Sequence, residues 1–381
     1  MSGLYIHIPF CKTRCIYCGF FSTVGESMKD KYVDALCDEL KMRRDYIGDA
    51  VRTIYIGGGT PSQLSGKNID KIIDNIYKYY DVEAAKGMDV PEMTMECNPD
   101  DVDSNFASFI ANTPINRISM GAQSFSDKML RFAGRRHDSG QIQLAVERLR
   151  KANIGNISID LMFGFPGETE QIWQDDLRKA IELGVEHLSA YSLMFEEGTP
   201  LYKMLQDGKV KEIDEDLSLS MFNTLLDTMN EAGFEHYEIS NFARQGFRSR
   251  HNSSYWHDIP YLGVGASAHS FNGTSRQWNV CDVKQYISSI CSGSVPAEVE
   301  ELSKDSRFDD IVMTSLRTRE GIDLEGIRDK FGTDYLEFIE REARKHVESG
   351  LLRYDDGGKR LALTRKGIFV SDDIMADLMH V

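Results

Sequence analysis

The chain has 381 residues, 41% hydrophobic and 27% charged, a length that allows a large barrel or two domains with ample core. Its 44 basic and 60 acidic side chains give a formal charge of −16, which argues against general nucleic-acid binding and reads as a solubility surplus. No apolar run suits a transmembrane span, the first strand-like run meets cysteines too soon to be a signal peptide, and free thiols point to the cytoplasm.

The first expected strand, Tyr5–Pro9, leads into Cys11, Cys15 and Cys18. This C-x3-C-x2-C spacing puts three thiolates on one tight loop. They can hold three irons of a [4Fe–4S] cube and leave the fourth iron for a small molecule to chelate. A zinc site would need a second Cys or His pair at suitable spacing, and none follows. An odd total of seven cysteines does not suit a disulfide framework. Cys37, Cys97, Cys281 and Cys291 are scattered and read as small buried hydrophobes. His7, in the cluster strand, reads as structural.

Further strands are expected at Thr53–Gly57, Met93–Cys97, Arg117–Gly121, Ser158–Phe163 and His187–Leu193. Several are continuous apolar or β-branched runs, as parallel strands buried on both faces would be. Helical stretches at Lys29–Arg44, Lys67–Tyr80, Ser139–Lys151 and Thr169–Leu183 lie between them. Alternating strand and helix implies a parallel sheet, and six such units predict an α/β fold built as a partial (β/α)6 barrel, open on one side. Chemistry in such barrels gathers at the C-terminal ends of the strands. The cysteines, Gly57–Thr60, Glu96, Gln123 and Asp160 all fall there.

Glu215–Ala232 reads as a helix and Tyr237–Ser240 as a short strand, followed by a loop-like segment to Gly273 that is rich in Gly, Ser, His and aromatics. Helices are then expected at Lys304–Arg319, Asp323–Phe331 and Tyr335–Ser349. A hairpin of Leu351–Tyr354 and Arg360–Leu363 follows, turning at Asp355-Asp356-Gly357-Gly358, and a last helix begins near Thr364. The expected division is 1–240 for the barrel, 241–300 for a connecting segment, and 301–381 for a small helical, winged-helix-like module. That module is too acidic for DNA and reads as a cap or docking unit.

The glycines of Gly57-Gly58-Gly59-Thr60-Pro61 let backbone approach a ligand closely. Glu96 can accept both hydroxyls of a ribose; the plainer reading is a cap or a surface acid. Either Arg135 or Arg136 could fork onto a carboxylate. Asp160, an acid inside an apolar strand, must have a partner.

Taken together, YIHIPFC, GGGTPS, ECNPD, RISMGAQSF, IDLMFGFPGET, LSAYSL and the HNSSYW region resemble the HemN/HemW branch of the radical S-adenosylmethionine (SAM) superfamily over nearly the whole chain. The resemblance implies cluster ligation by Cys11, Cys15 and Cys18. It implies SAM contacts from Tyr5, Tyr17 (through its backbone), Gly58, Gly59, Thr60, Glu96, Gln123, Arg135 and Asp160. Oxygen-independent coproporphyrinogen III oxidases of this branch carry a fourth cysteine two places after the third and a long N-terminal extension. Here Gly19-Phe20 follow Cys18, and Tyr5 lies near the start. Both departures point to the HemW type, a haem chaperone, ahead of the alternative, SAM-dependent oxidative decarboxylation to protoporphyrinogen IX. His251-Asn252-Ser253-Ser254-Tyr255-Trp256 resembles the HNxxYW signature of that chaperone group. His251 could ligate haem iron, with Tyr255 and Trp256 packed on the macrocycle, or the three could form a structural corner. His257 and His269 are alternative ligands. The implied partners are haem as cargo, acceptor haem proteins (membrane respiratory proteins among them) and an electron donor such as flavodoxin or ferredoxin. The expected state is a monomer or a weak homodimer.

Overall fold

In the computed structural model, which describes residues 2–380, six parallel strands form the heart of one sheet. They are β1 (Ser2–Ile8), β2 (Val51–Gly58), β3 (Glu92–Cys97), β4 (Arg117–Gln123), β5 (Ile157–Phe163) and β6 (His187–Ser192). They lie side by side in chain order, as right-handed strand–helix–strand units place them. The expected strands and intervening helices are all present. Helices at Ser104–Ile110, Asp127–Ala133, Pro200–Gln206 and Val283–Cys291 were not foreseen.

The helices earn their places by pattern. Gly66–Tyr79 buries Ile69, Ile72, Ile73 and Ile76, spacings that line one helical face. Ser65 caps it, its side chain accepting from the Asn68 amide at 3.3 Å. Each of those isoleucines is worth about 1.5–3 kcal/mol when fully buried.

The strands are not apolar on both faces. Leu4, Ile6, Ile8, Ile54, Ile56, Met93, Met95, Ile118, Met120, Ile157 and Ile159 pack outward into the main core. The alternate residues face the other way: Tyr5 and His7, Thr53 and Tyr55, Glu92 and Glu96, Arg117 and Ser119, Ser158 and Asp160, His187 and Ser189. Hydrogen bonds join these inward side chains across neighbouring strands, as Tyr55 to Glu96 at 2.8 Å and Ser158 to His187 at 2.7 Å. Period-two alternation therefore divides each strand into an apolar outer row and a polar inner row.

The segment from Asn241 to Gly273 is more ordered than its composition suggests. After β7 (Glu235–Glu238), it contributes β8 (Asn241–Ala243), the helix Arg250–Tyr255, β9 (Tyr261–Val264) and β10 (His269–Phe271). With β11 (Ser275–Asn279) and β12 (Ala297–Glu301) the sheet reaches twelve strands, in the order β12-β11-β10-β9-β1-β2-β3-β4-β5-β6-β8-β7. β9 runs parallel to β1, and the outer strands are antiparallel. The reason is close approach within the sheet: Gly263 and Gly265 let this chain pass where a Cβ would strike His269 O at 2.0 Å or His7 O at 2.6 Å. Glu298, Glu300 and Glu301 stand exposed on the terminal strand β12.

Residues beyond Ser303 pack a separate apolar core around Phe308, Val312, Ile327, Ile339, Leu361 and Ile374. It holds a three-stranded sheet in which Leu352–Asp355 pairs with Arg360–Leu363. The last helix is two, Arg365–Phe369 and Ser371–Leu378. Cys37 and Cys97 are buried as expected, but Cys281 and Cys291 are exposed, because both lie where a turn or a helix end faces solvent. No helix among the described residues is long and apolar enough to cross a membrane.

Candidate functional site

The strand ends build a mouth. Beyond β1, Phe10–Cys11 pairs with Thr23–Val24 and closes the cysteine loop on itself. His7 pins the loop's return, its Nε2 lying 3.2 Å from Phe21 O and its Nδ1 3.0 Å from the Tyr5 hydroxyl. Burial lowers the His7 imidazole to about 4, so the ring is neutral near pH 7. Cys11, Cys15 and Cys18 are free and half-buried. The Thr60 hydroxyl reaches Cys11 Sγ at 3.5 Å, and Arg135 Nη1 reaches Cys15 Sγ at 3.4 Å. Tyr17 lies beside the same Arg135 and Cys15.

The glycine run passes close beneath. Gly59 donates to Ile8 O at 2.8 Å, and a Cβ there would stand 3.0 Å from Cys11 Sγ and 2.9 Å from Phe10 O. Gly58 has φ +114°, and its Cβ would enter the His7 ring. Glu96 closes this corner by accepting from the Tyr55 hydroxyl at 2.8 Å and the Gly58 amide at 3.0 Å. Burial raises its carboxyl to about 7, with the Asp160 charge adding to the effect. Asp160 is also raised by burial; its partners are Ser189 and Ser119, the latter's hydroxyl lying 3.4 Å from both carboxylate oxygens.

Gln123 is aimed by strain. The β4–β5 register slips between Gly121 and Gln123, and Gln123 sits at φ +66°, a left-handed conformation rare outside glycine. Gly121 leaves space for it, since a Cβ there would meet Gln123 Nε2 at 2.8 Å. Arg135 also donates to Gly121 O at 2.6 Å and to Asn98 Oδ1. Arg136 is committed elsewhere, to Asp100 at 2.8 Å and Asp101 at 3.2 Å. Of the two candidate forks, the structure puts Arg135 at the mouth.

The donor set suits a [4Fe–4S] cube with SAM on its open corner. Three thiols share one loop, a cation and a hydroxyl reach two of them, and bare backbone fills the gap where any Cβ would intrude. Burial raises the Cys18 thiol, with Cys15 and Cys11 contributing; bound metal charge would favour the thiolate instead. Among the described residues no group of His, Cys, Asp or Glu closes on a single ion, and thiols that each bind a different corner of a cube need not.

The HNSSYW segment lies at the other end of β1. The helix Arg250–Tyr255 forms the floor of the half-barrel. Ser249 caps it, and buried Glu92 accepts from the His251 amide at 2.9 Å and the Arg250 amide at 3.1 Å. His251 is fully buried and spends both ring nitrogens, Nδ1 on Thr53 Oγ1 at 3.0 Å and Nε2 on the Tyr255 hydroxyl at 2.8 Å. It stacks on Tyr55 at 5.2 Å, and burial lowers its imidazole to about 3. Trp256 and His257 turn the opposite way, toward the C-terminal module. Thus the residues expected at the cluster and at SAM converge at the mouth, while His251 and Tyr255 lie beneath them, linked through Tyr55, and Trp256 turns away. Reading for motifs missed Glu92, Tyr55 and Arg117; the alternation of each strand was the signal that could have found them.

The Radical SAM superfamily model matches residues 5–180, and the HemN C-terminal domain model matches 302–370. Heme chaperone HemW of Lactococcus lactis is 33% identical, covering 98% of this chain and 96% of its own. Heme chaperone HemW of Bacillus subtilis is 32% identical, covering 98% of both. The solved coproporphyrinogen III oxidase HemN of Escherichia coli superposes with a TM-score of 0.84 at 22% identity, covering all of this chain and 90% of that one, a likeness of fold.

Proposed function

The chain belongs to the radical SAM superfamily, in the family of the HemW proteins, and on that footing we propose that it binds haem and delivers it to acceptor haem proteins. The observation that carries this reading is the end-to-end likeness to relatives named heme chaperones. Phe20 supports it: at the place of the oxidases' fourth cysteine stands a side chain 73% exposed.

Cys11, Cys15 and Cys18 hold the cluster. Gly58, Gly59 and Thr60 offer backbone and hydroxyl to the methionine part of SAM, and Tyr17 adds a backbone contact. Glu96, Gln123 and Asp160 meet its ribose side, Arg135 its carboxylate, and Tyr5 lines the wall beside them. When bound, the cluster and SAM supply one-electron chemistry or redox sensing at the mouth. Tyr255 holds His251 in place in the floor, and residues 301–381 act as a cap or docking module. The protein works in the cytoplasm as a monomer or weak homodimer, takes electrons from a flavodoxin or ferredoxin, and serves membrane respiratory acceptors.

The test is anaerobic reconstitution followed by incubation of the haem-loaded protein with an apo-acceptor. Transfer of the haem absorbance to the acceptor is expected. Failure to form a haem complex under reducing conditions overturns the proposal, as does conversion of coproporphyrinogen III to protoporphyrinogen IX with SAM and a reductant.

A further inference from the structure

We infer that the outer face of the cysteine loop is the docking surface for an acidic one-electron carrier protein. This deepens the proposed function and rests on its electron donor.

Charge is the first sign. The chain has 60 acidic residues, yet residues 1–25 contain none, and that stretch holds the whole cysteine loop together with Lys12 and Arg14. Both cations are exposed, and Arg14 donates to the Cys18 carbonyl at 3.4 Å, which leaves its charge unmatched. The fold adds two more. Ile16 donates its amide to Ala133 O at 3.2 Å and accepts from the Leu201 amide at 2.9 Å, so the helices Asp127–Ala133 and Pro200–Gln206 flank the loop. They carry Arg131 and Lys203, both exposed. Among the described residues none of these four cations forms an ion pair. Glu196 and Glu197 stand at one edge, Glu196 against Gly19. The neighbouring Glu26 and Asp207 are matched, to Lys29 at 3.6 Å and to Lys209 at 2.9 Å. Four free cations against two acids make the face basic, on a chain whose formal charge is −16.

Apolar surface coincides with this charge. Phe20, Met194 and Val24, at 73%, 65% and 59%, are the three most exposed large apolar side chains among the described residues. All three border the cysteines. Phe20 follows Cys18 by two residues, and Val24 pairs with Cys11. Met194 adjoins Leu193, which packs in one cluster with Ile16 and Tyr17. Apolar side chains held in water beside unmatched cations mark a surface that a partner covers.

The cysteines decide which partner. An electron reaches a cluster only from close by, and Cys11, Cys15 and Cys18 lie half-buried on this same loop. The carrier loses one electron and the cluster gains it, with no bond made or broken. Redox encounters use small interfaces, under about 1,200 Å², steered by opposite charge. A loop tip ringed by cations fits an acidic carrier. Two copies of this chain meeting through the same face would set cation against cation.

The full-length reconstituted protein is mixed with reduced flavodoxin as wild type, Lys12→Glu/Arg14→Glu, Arg131→Glu/Lys203→Glu and, as a distant reference, Lys366→Glu. Affinity for flavodoxin and the rate of cluster bleaching are both read. At low ionic strength each double variant is expected to bind and to be reduced on the order of tenfold more weakly and slowly, and the wild-type advantage should vanish in high salt. Lys366→Glu should match wild type, and reduction by photoreduced deazaflavin, a small neutral donor, should be equal for all four. If both double variants bind flavodoxin and are reduced by it like wild type, the face is wrong while the donor stands. Equal slowing with deazaflavin places the effect in the cluster and also overturns the assignment. Charge-dependent binding to phosphatidylglycerol vesicles, with flavodoxin binding unchanged, gives the face to a membrane instead and overturns it too. If wild type takes no electron from flavodoxin or ferredoxin, the donor and its docking face fall together.

Discussion

Gly59 sits where one added methyl group would disturb the mouth. Its Cβ would press on Cys11 Sγ and on two backbone carbonyls, none of which is the free end of a flexible side chain. Gly59→Ala is therefore expected to lower iron per chain at least severalfold after reconstitution while leaving the fold intact by circular dichroism; full iron loading would contradict this. Glu96 carries a pH dependence whose sign is fixed. Folded, its carboxyl holds a proton up to about pH 7; the ordinary value is 4.5. Across that window the folded state binds more protons, so the stability this group contributes is lost as pH rises through it. Relative to wild type, Glu96→Gln should gain on the order of 1–3 kcal/mol between pH 4.5 and 7.5 in denaturant melts of the cluster-free protein. A constant gap between the two would refute it. Cys11, Glu96 and Asp160 were legible because chemistry-bearing residues at strand ends stand out in a sequence. Glu92 was not, since a glutamate that anchors backbone amides looks like any surface acid until the helix it holds is seen.

The floor helix shows what an element owes to such an anchor. It has only six residues, too few to be stable alone, and begins with amides that need acceptors. Glu92 supplies them from β3, with Arg250 Nε 3.4 Å away. Glu92→Ala should cost about 2–4 kcal/mol in unfolding free energy, since it strands buried donors and an arginine. A loss under 0.5 kcal/mol would mean the helix is held otherwise. At this scale the parallel strands were legible from their alternation with helices. The polar inner rows were not, because residues such as Tyr55, Thr53 and Ser158 pass as ordinary strand formers. Asn241–Gly273 read as loop because its strands are three or four residues long and its glycines serve close approach within the sheet.

Across the whole molecule, β1 separates two sites. Ile8 O accepts from Gly59 at the mouth, whereas Gly3 faces His251 at the floor. Five residue steps of strand put about 15–20 Å between them. If the cargo haem binds apart from the cluster, its affinity does not depend on Cys11, Cys15 and Cys18. A Cys11/Cys15/Cys18→Ala triple variant should retain wild-type haem affinity within about threefold, by Soret titration with haem, while holding no iron–sulfur chromophore. Loss of haem binding in a folded triple variant would show that the two ends are coupled.

The outermost strand, β12, has a consequence for crowding. An open sheet leaves unpaired amides and carbonyls along its rim, an invitation for another molecule's rim to add on. Here three glutamates stand along that rim, and among the described residues only Glu300 is matched by a cation, Arg276 at 3.3 Å. Two such rims brought together would set carboxylates against carboxylates, so the molecule resists fibre-like stacking near neutral pH and gives up that protection in acid.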